Sequence, residues 1–220
     1  MESVSCIICD SNNTLNYKKF TDPLNSSVVF NVVKCSCGFI YLNPRPDSKE
    51  ITKYYNNSYF PYSNDQRLLA VFYKWTKKIT FFWKYKILSK YNPMCKNILD
   101  YGGGTGEFSS YLLNKNISAI NYDPNTKDNM NLSDSSLKKK FDAITFWHSI
   151  EHIHDIKETF NQIDFLLKEN GFLLIAIPNH DAYERKFFFN KRWIAYDIPR
   201  HLYHFNIDTL ERLLKKNKFL

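Results

Sequence analysis

The chain has 220 residues, 44% of them hydrophobic and 24% charged, so it can bury a core and is neither disordered nor fibrous. Its length allows one domain with a small appendage and excludes a large multidomain assembly. The formal net charge of +8 would favour an anionic partner, but the excess is mostly Lys, whereas Arg is the residue that binds phosphate bidentately. We attribute the charge to a residue bias that also gives 17% aromatic residues, and nucleic acid is disfavoured as a partner.

The chain carries no recognisable export or membrane signal. The best membrane candidate, Ile79 to Leu88, is interrupted by Lys84 and Lys86 and is shorter than the ~20 apolar residues that cross a bilayer. Five Cys are an odd number, which disfavours a disulfide framework. We therefore expect a cytoplasmic protein without a membrane span.

Two close cysteine pairs flank a β-prone stretch near the N-terminus. Cys6 and Cys9 form the first pair, and Cys35 and Cys37 form the second, which has the less common C-x-C spacing. Four thiolates suit tetrahedral zinc, and no position would be left open for catalysis. Residues 1–45 are predicted as a zinc-ribbon-like segment with structural zinc; reduced thiols without metal and a redox pair are the alternatives.

Residues 46–92 are predicted as a linker followed by a helical lid. Prolines punctuate the run from Leu42 to Asp47, which indicates the linker. One long helix is predicted from about Gln66 to Tyr91, because apolar residues recur there at spacings of three and four. A core-covering helix and a lid over an active site both fit this pattern, whose apolar positions are Leu68, Phe72, Trp75, Ile79, Phe82, Tyr85 and Leu88.

Residues 93–220 alternate apolar strands with amphipathic helices, which predicts a parallel sheet covered on both faces. The fold class is α/β, a Rossmann-like, doubly wound, mostly parallel sheet. The predicted strands are Asn97 to Tyr101, Ile117 to Tyr122, Phe141 to Trp147 and Gly171 to Ile177, and the predicted helices are Glu107 to Leu113 and about Ile156 to Leu167.

A glycine-rich loop follows the first of these strands. Gly102, Gly104 and Gly106 have G-x-G-x-G spacing, and Glu107 stands where the dinucleotide fingerprint has its third glycine. Asp123 ends the second strand, where its carboxylate can accept hydrogen bonds from ribose hydroxyls. The pattern favours a nucleoside ligand that lacks a pyrophosphate.

Four segments together resemble one family. Ile98 to Phe108 resembles the first motif of class I S-adenosylmethionine-dependent methyltransferases, and Tyr122 to Pro124 resembles their second-strand acidic motif. Phe141 to His152 is similar to their fourth-strand motif. Asp197 to Phe205 resembles a signature of one subgroup that also carries an N-terminal zinc ribbon. The resemblance covers nearly the whole chain.

The resemblance implies that S-adenosyl-L-methionine is the cofactor. It implies that Asp100 and the backbone of Tyr101 to Gly104 hold the methionine part, that Asp123 holds the ribose, and that Phe146 to His148 flank the adenine and the methyl donor. The predicted cofactor-binding residues are thus Asp100, Tyr101, Gly102, Gly103, Gly104, Asp123, Phe146 and Trp147.

A hydroxyl acceptor would also need a base, and a neutral imidazole can take a proton near pH 7. His148, His152 and His201 are the predicted catalytic residues, with His204 a further candidate that is expected to share a helical face with His201. Each His could instead orient substrate or cap a loop. Glu151 with His152 could alternatively hold a divalent ion, as in some quinone-ring O-methyltransferases.

The chain departs from the family pattern in two places. Residues 125–140 are short and polar where the family has a helix and a third strand, so no adenine contact is assigned there and the third strand is expected to be rudimentary or missing. The chain ends at Leu220, where family members continue with an antiparallel hairpin. We expect that hairpin to be missing and the methyltransferase domain, 93–220, to be truncated.

The leading functional prediction is methyl transfer to a small or carrier-linked acceptor, such as a sugar or sugar nucleotide, because the resembling subgroup includes sugar methyltransferases. One alternative is a nucleic-acid methyltransferase, although Trp147-His148-Ser149 differs from the Asn/Asp-Pro-Pro-aromatic segment of adenine-methylating enzymes. Another is a truncated cofactor-binding protein without activity. The oligomeric state and the methylated atom are not predicted.

Overall fold

The structure is a computed structural model that describes residues 1–55, 67–124, 126, 130–189 and 193–220. The predicted helix start at Gln66, the side chains of Leu68 and Phe72, and residues 125 and 127–129 lie outside the described part. The chain divides into two compact units. We call Met1–Tyr59 with Glu151–Lys157 and Ile177–Leu220 the antiparallel unit, and Phe60–Ile150 with Glu158–Ala176 the parallel unit.

The parallel unit contains a four-stranded parallel sheet of order β5-β4-β6-β7. The predicted strands and helices are confirmed, with small shifts at their ends. The strands are β4 (Asn97–Tyr101), β5 (Ser118–Tyr122), β6 (Phe141–Trp147) and β7 (Leu167–Ala176), and the helices are α1 (Arg67–Tyr91), α2 (Glu107–Leu113) and α3 (Ile156–Leu166), which belongs to this unit from Glu158 onward.

Strand β7 begins earlier than the predicted Gly171. Leu167 already pairs with Phe141, and an irregularity in the register precedes the pair formed by Ala143 and Phe172. The apolar run alone marks only the regular part of the strand, because Lys168 to Gly171 contain no apolar side chain that would signal pairing.

The strand order places the carboxyl ends of three strands at one edge. Tyr101 at the end of β4 is in register with Tyr122 of β5 on one side and with Phe146 of β6 on the other. Because the chain leaves β4 in one direction to form β5 and returns on the other side as β6, the crevice for a ligand is expected beyond the end of β4.

One hydrophobic cluster joins the sheet to α1 and α2. Ile98 and Ala143 point from the sheet into it, and Leu88 reaches it from α1. Phe81 and Tyr85 pack on the same cluster, whereas Trp75, Ile79 and Phe82 are about half exposed. The apolar residues predicted to form one stripe of α1 therefore lie on two neighbouring faces. Only the face centred on Tyr85 and Leu88 packs against the core.

The antiparallel unit contains a four-stranded sheet of order β1-β2-β3-β8. Its strands are β1 (Thr14–Thr21), β2 (Val29–Cys35), β3 (Ile40–Leu42) and β8 (Tyr203–His204). Strand β8 pairs with β3 and so joins a C-terminal segment to the N-terminal sheet. Helix α4 (Ile207–Lys216) follows, and its N-terminus is closed by a capping box of Asn206 and Thr209.

The proline-punctuated run that was predicted as a linker is docked within the antiparallel unit. The buried Arg45 donates hydrogen bonds to Glu2 (2.7 Å), to the Tyr203 hydroxyl (2.8 Å) and to the carbonyl of His154 (2.9 Å). Residues 177–220 thus belong to the same compact unit as the N-terminal segment. The sequence had instead predicted a methyltransferase domain of residues 93–220. Those boundaries stay a prediction.

Two expectations concern the third strand and the C-terminal hairpin. Within the described residues from β5 to β6, the regular structure is a single 3-10 turn at Ser135–Leu137, which agrees with a missing third strand. In the described part of the chain, no strand pairs with the outer edge of β7. Separately, none of the described helices has an apolar stretch long enough for a bilayer crossing.

Candidate functional site

The glycine loop of the parallel unit is held close to the ends of β5 and β6. The Gly102 N–H donates to the carbonyl of Tyr122 (2.7 Å), and the Ser149 hydroxyl donates to the carbonyl of Tyr101 (2.7 Å). Gly102 has a φ of +76°, and a Cβ there would lie 2.3 Å from the Cβ of Ser149. Only glycine satisfies both the backbone conformation and this close approach.

The next two glycines differ in their surroundings: Gly103 is closely packed, whereas Gly104 has open space beside it. A Cβ on Gly103 would lie 2.2 Å from Oδ1 of Asn121 and 2.4 Å from Oδ2 of Asp100. A Cβ on Gly104 would meet no atom within 4 Å. Gly104 is fixed from behind, because its N–H donates to Asp123 (2.8 Å) and its carbonyl accepts from the Asn121 side chain (2.9 Å). The open side of Gly104 therefore leaves room for a ligand.

Asp100 supplies a buried carboxylate at the end of β4. Its side chain accepts a hydrogen bond from the Thr145 hydroxyl (2.7 Å). Burial raises the pKa of Asp100 to about 6, although the Thr145 hydrogen bond and the charge of Lys84 act to lower it. The raised pKa reflects the cost of burying the charge of a carboxylate that is only 1% exposed.

Lys84 is the residue of this region that sequence reasoning missed. Its Nζ lies 4.7 Å from the ring centroid of Trp147 and 5.1 Å from that of Phe108. The only signal in the sequence was that Lys84 interrupts the apolar run from Ile79 to Leu88, which we had used solely to exclude a membrane span. A lysine on an otherwise apolar helix face is a reasonable marker of a partly buried charge.

The residues at the end of β6 point in different directions. Phe146 is fully buried and stacks on Tyr101, with ring centroids 4.9 Å apart. Trp147 instead meets Phe108 edge-on at 5.9 Å, and its indole N–H is buried without a hydrogen-bond acceptor among the described residues. His148 is exposed and has a φ of +55°. The structure brings Asp100, the glycine loop and Asp123 together, whereas Phe146 and Trp147 lie on opposite faces of the sheet.

A second cluster of polar side chains lies in the antiparallel unit. Glu151, His152 and His201 each offer one potential ligand atom, and these atoms lie within 4.8 Å of one another. His152 Nδ1 is 3.0 Å from the carbonyl of Arg200, and His201 Nδ1 is 2.8 Å from the carbonyl of Ala195. Backbone carbonyls thereby orient both imidazoles, as is common for functional histidines.

The two imidazoles have different electrostatic environments. Burial lowers the pKa of His152 to about 4; the charge of His201 acts in the same direction and that of Glu151 opposes it. His152 is therefore neutral at pH 7 and a weak proton acceptor. The Tyr55 hydroxyl lies 3.1 Å from His152 Nδ1 and adds a second polar neighbour.

The expectation that His201 and His204 share a helical face is wrong. His204 lies in β8, and His201 precedes that strand in irregular structure, because pairing with β3 keeps the backbone extended. The ring of His204 packs against Tyr196, with centroids 5.2 Å apart, and burial lowers its pKa well below the usual value. Glu151, His201 and His204 nevertheless line one small cavity.

The four predicted zinc ligands converge in the antiparallel unit. Their sulfurs lie within 4.8 Å of one another, with Cys6 3.6 Å from Cys37 and Cys9 3.5 Å from Cys35. Burial acts to raise the pKa of Cys35, but a backbone hydrogen bond from Cys37 and the neighbouring thiols outweigh it and lower that pKa to about 7. Four converging thiols are a donor set that suits zinc.

Two cations of α4 contact the loops that carry these cysteines, and the sequence had not indicated them. Arg212 donates to the carbonyl of Cys37 (2.9 Å), and Lys216 donates to the carboxylate of Asp10 (2.7 Å). The C-terminal helix is thus part of the surroundings of the cysteine cluster.

Comparison with known proteins identifies related sequences and folds. A family model described as a methyltransferase domain matches residues 68–219. No curated protein matches the chain significantly. The fold is similar to that of a Burkholderia thailandensis 1,6-didemethyltoxoflavin-N1-methyltransferase with bound 1,6-didemethyltoxoflavin and S-adenosylhomocysteine, with a TM-score of 0.56 and 15% identity over 91% of this chain and 88% of that one.

Two further solved structures match a smaller part of the chain. A SAM-dependent methyltransferase from Archaeoglobus fulgidus has a TM-score of 0.47 and 23% identity, over 66% of this chain and 73% of that one. A SAM-dependent methyltransferase from Thermotoga maritima, described as a possible histamine N-methyltransferase, has a TM-score of 0.44 and 16% identity, over 62% and 70%.

Proposed function

Because the chain belongs to the methyltransferase domain family and is an S-adenosylmethionine-dependent methyltransferase, we propose that it methylates a small or carrier-linked acceptor, such as a sugar or sugar nucleotide. The acceptor class comes from the resemblance of Asp197 to Phe205 to a subgroup that includes sugar methyltransferases. The same fold accommodates a small molecule in the Burkholderia structure, which carries bound 1,6-didemethyltoxoflavin.

One observation supports the proposed cofactor site above the others. The glycine loop is open in front of Gly104, and a buried carboxylate, Asp100, and a second carboxylate, Asp123, flank it. S-adenosylmethionine offers a cationic methionine part and a ribose diol, which suit these two groups respectively. The indole N–H of Trp147 adds a buried donor that has no acceptor among the described residues.

Within this proposal the cofactor supplies an already activated methyl group, so the protein contributes mainly positioning. Asp100 would hold the methionine ammonium, and the backbone of Tyr101 to Gly104 would line the methionine part. Asp123 would accept hydrogen bonds from the ribose hydroxyls while it continues to fix the Gly104 N–H.

For a hydroxyl acceptor the proposal includes a histidine base, with His148, His152 and His201 as candidates. The lowered pKa of His152 favours an orienting role for that residue, since an imidazole with a pKa of about 4 is a poor proton acceptor at pH 7. His201 then becomes the favoured base within the antiparallel unit. A divalent ion held by Glu151 and His152 is the alternative use of this cluster.

We further propose that Cys6, Cys9, Cys35 and Cys37 hold one structural zinc ion in a zinc-ribbon segment. The convergence of the four sulfurs supports this assignment, as does the β2–β3 hairpin that carries the second pair to the first. Zinc would provide most of the stability of a segment that has a small core of its own. The metal would have no open position and so no catalytic part.

Calorimetric titration with S-adenosylhomocysteine tests the proposed site. The wild-type protein is expected to bind, and Asp123→Ala is expected to weaken binding by about tenfold or more, since a charge-assisted hydrogen bond is lost. Asp134→Ala is the matched control, because Asp134 caps an exposed turn in the same unit. Absence of wild-type binding would overturn the proposed cofactor site.

The acceptor class is tested with a panel of sugars, sugar nucleotides and nucleic acids, using the release of S-adenosylhomocysteine as the measurement. Turnover with a sugar-type compound supports the proposal. Turnover with nucleic acid alone, accompanied by binding that weakens steeply with salt, would favour the nucleic-acid alternative. Cofactor binding without any turnover would favour a binding protein without activity.

A further inference from the structure

Helix α1 carries nearly all of the excess positive charge of the chain. Between Arg67 and Tyr91 the sequence contains seven basic residues and neither Asp nor Glu, although the whole chain has 22 acidic residues. The formal net charge of the helix is therefore +7, against +8 for the whole chain. A residue bias that acted evenly along the chain would not concentrate the charge in one element, so the charge of α1 has a local cause.

The described side chains of α1, from Trp75 onward, include large apolar groups that face away from the core. The exposed fractions are 60% for Trp75, 47% for Ile79, 51% for Phe82 and 55% for Trp83. At 3.6 residues per turn these four positions fall within an arc of about 100°. Phe81 and Leu88, which belong to the hydrophobic cluster of the sheet, lie on the opposite side of the helix.

Three exposed lysines lie among these apolar side chains. In helical projection Lys86 falls between Trp75 and Ile79, and Lys90 falls beside Ile79. The Nζ of Lys86 lies 5.5 Å from the ring centroid of Phe82, so charge and ring are in direct contact. We call this surface the outer face of α1, and it consists of Trp75, Lys78, Ile79, Phe82, Trp83, Lys86 and Lys90.

The outer face combines two properties that restrict its partner. A contiguous group of exposed apolar side chains marks an interaction site, whereas isolated ones are ordinary. Ammonium groups placed among them require a partner that is anionic as well as apolar. The surface of an anionic lipid bilayer has both properties, since its phosphate groups lie directly above the acyl chains.

We propose that the outer face of α1 binds the surface of an anionic membrane, with the helix axis in the plane of the interface. The rings and Ile79 would enter the headgroup region, where Trp is favoured. The lysine stems would lie along this apolar layer while their ammonium groups contact lipid phosphates. The helix would lie on the membrane and not cross it, because none of the described helices has an apolar stretch long enough to span a bilayer.

This proposal goes beyond methyl transfer and concerns where the protein acts. The outer face contains no residue of the glycine loop, the histidine cluster or the cysteine cluster. Loss of membrane binding would therefore leave the proposed cofactor site untouched, and loss of cofactor binding would leave the outer face untouched.

Nucleic acid and a second copy of the chain fit the outer face less well. Its cations are all lysines, whereas Arg is the residue that forks onto phosphate and stacks on bases. In a symmetric dimer the same patch meets itself, so the lysines of one copy would face the lysines of the other. Like charges brought together in this way disfavour the dimer.

Sedimentation with lipid vesicles tests the proposal. One vesicle preparation contains phosphatidylcholine alone, and the other contains phosphatidylcholine and phosphatidylglycerol in equal parts. The apolar contribution is removed in the double variant Ile79→Gln with Phe82→Gln. Its matched control is Leu113→Gln with Ile207→Gln, which removes two exposed apolar side chains from other helices.

The charge contribution is removed in the double variant Lys86→Glu with Lys90→Glu. Its matched control is Lys138→Glu with Lys140→Glu, because these lysines are also exposed and the net charge changes by the same amount. Thermal unfolding of every variant shows whether the fold persists. The two double variants of the outer face change different side chains, so each tests the proposal if the other fails to fold.

We expect the wild-type protein to bind the anionic vesicles at least about tenfold more tightly than the neutral ones. Removal of Ile79 and Phe82 should weaken binding to anionic vesicles by about 10- to 100-fold, and reversal of Lys86 and Lys90 by about tenfold or more. Both control variants should bind within about twofold of the wild type.

A second measurement separates insertion from loose electrostatic contact. Vesicles with brominated acyl chains should quench part of the tryptophan fluorescence, and Trp83→Phe should reduce the quenched part. Absence of vesicle binding, equal binding by the outer-face variants and their controls, or absence of quenching would overturn the proposal. Self-association or oligonucleotide binding that the same variants abolish, without vesicle binding by the wild type, would assign the face to those partners instead and equally overturn it.

Discussion

The two polar clusters of this protein are assembled in different ways. The glycine loop of the parallel unit draws on the stretch from β4 to Asp123 and on the end of β6, and backbone groups form much of it. The histidine cluster of the antiparallel unit joins Glu151 and His152 to His201, across a separation of about fifty residues, and side chains form it.

This difference decides how each cluster tolerates change. The loop depends on the absence of side chains at a few glycines, so an added methyl group should disrupt it. The histidine cluster depends on two imidazoles held by carbonyl groups, so removal of the His201 ring, the proposed base, should lower the rate while the fold persists. The cysteine cluster is a third case, in which loss of one cysteine should remove the proposed zinc ion and disrupt the local fold together.

The largest expected effect is on the cysteine cluster. The wild-type protein is expected to contain about one zinc ion per chain, and Cys35→Ser should abolish this content. The variant should also have a strongly lowered melting temperature, since structural zinc contributes roughly 10 kcal/mol or more to the folding free energy of such segments. Metal analysis and thermal unfolding measure both. Cys95→Ser is the control, because Cys95 is buried in the parallel unit and should leave the zinc content unchanged. Equal zinc in all three proteins would reject the cluster as a zinc site.

The next effect concerns the proposed base. Once an acceptor is known, His201→Ala should lower kcat by about 100-fold or more, the usual contribution of a general base, and leave the affinity for S-adenosylhomocysteine within about twofold. His154→Gln should preserve kcat, because the His154 side chain donates a hydrogen bond from Nε2 to the carbonyl of Pro46 (3.0 Å) and is not a member of the histidine cluster. A His201→Ala enzyme with wild-type kcat would show that the base lies elsewhere.

A smaller effect should separate two adjacent glycines. Gly103→Ala should destabilise the protein by about 1–3 kcal/mol, because the new Cβ would overlap Asn121 and Asp100. Gly104→Ala should lower the free energy of unfolding by only about 1 kcal/mol, because alanine disfavours the left-handed backbone of this position. It should nevertheless lower the affinity for S-adenosylhomocysteine by roughly tenfold, since the new methyl group fills the open side of the loop. Urea unfolding and calorimetry measure the two effects, and equal behaviour of both variants would contradict the loop geometry.

The smallest effect is a pH-dependent gain in stability. The pKa of Asp100 is raised from 3.8 to about 6 in the folded protein, so its ionised form destabilises the fold above about pH 6. Asp100→Asn should therefore raise the free energy of unfolding at about pH 8 by roughly 1–3 kcal/mol, a gain that is complete above about pH 6 and shrinks as the pH falls from 6 toward 3.8. The same variant should lower the affinity of the protein for S-adenosylhomocysteine. A gain that stays constant as the pH falls from about 6 toward 3.8 would mean that burial of charge is not its cause.

Sequence reasoning worked best where neighbouring residues act together. The bounds of β4, α2 and β6 follow from local patterns, as does the absence of a third strand among the described residues between β5 and β6. The convergence of Cys6, Cys9, Cys35 and Cys37 follows from two short cysteine spacings on either side of a β-prone stretch. It failed for His204, where three-residue spacing was interpreted as a helix although pairing of β8 with β3 imposes an extended backbone. It also missed Lys84, because the partners of that side chain lie on other elements.

The sequence by itself determined the fold class, the glycine loop and the family, because periodicity, glycine spacing and residue order are properties of contiguous residues. Tertiary structure alone decided the grouping of residues 177–220 with the N-terminal sheet and the position of Lys84 over the rings of Trp147 and Phe108. It also decided the meeting of His201 with Glu151 and His152. The physical reason is that long-range pairing and burial depend on which surfaces remain to be covered once the local elements have formed, and no single stretch of the chain records that.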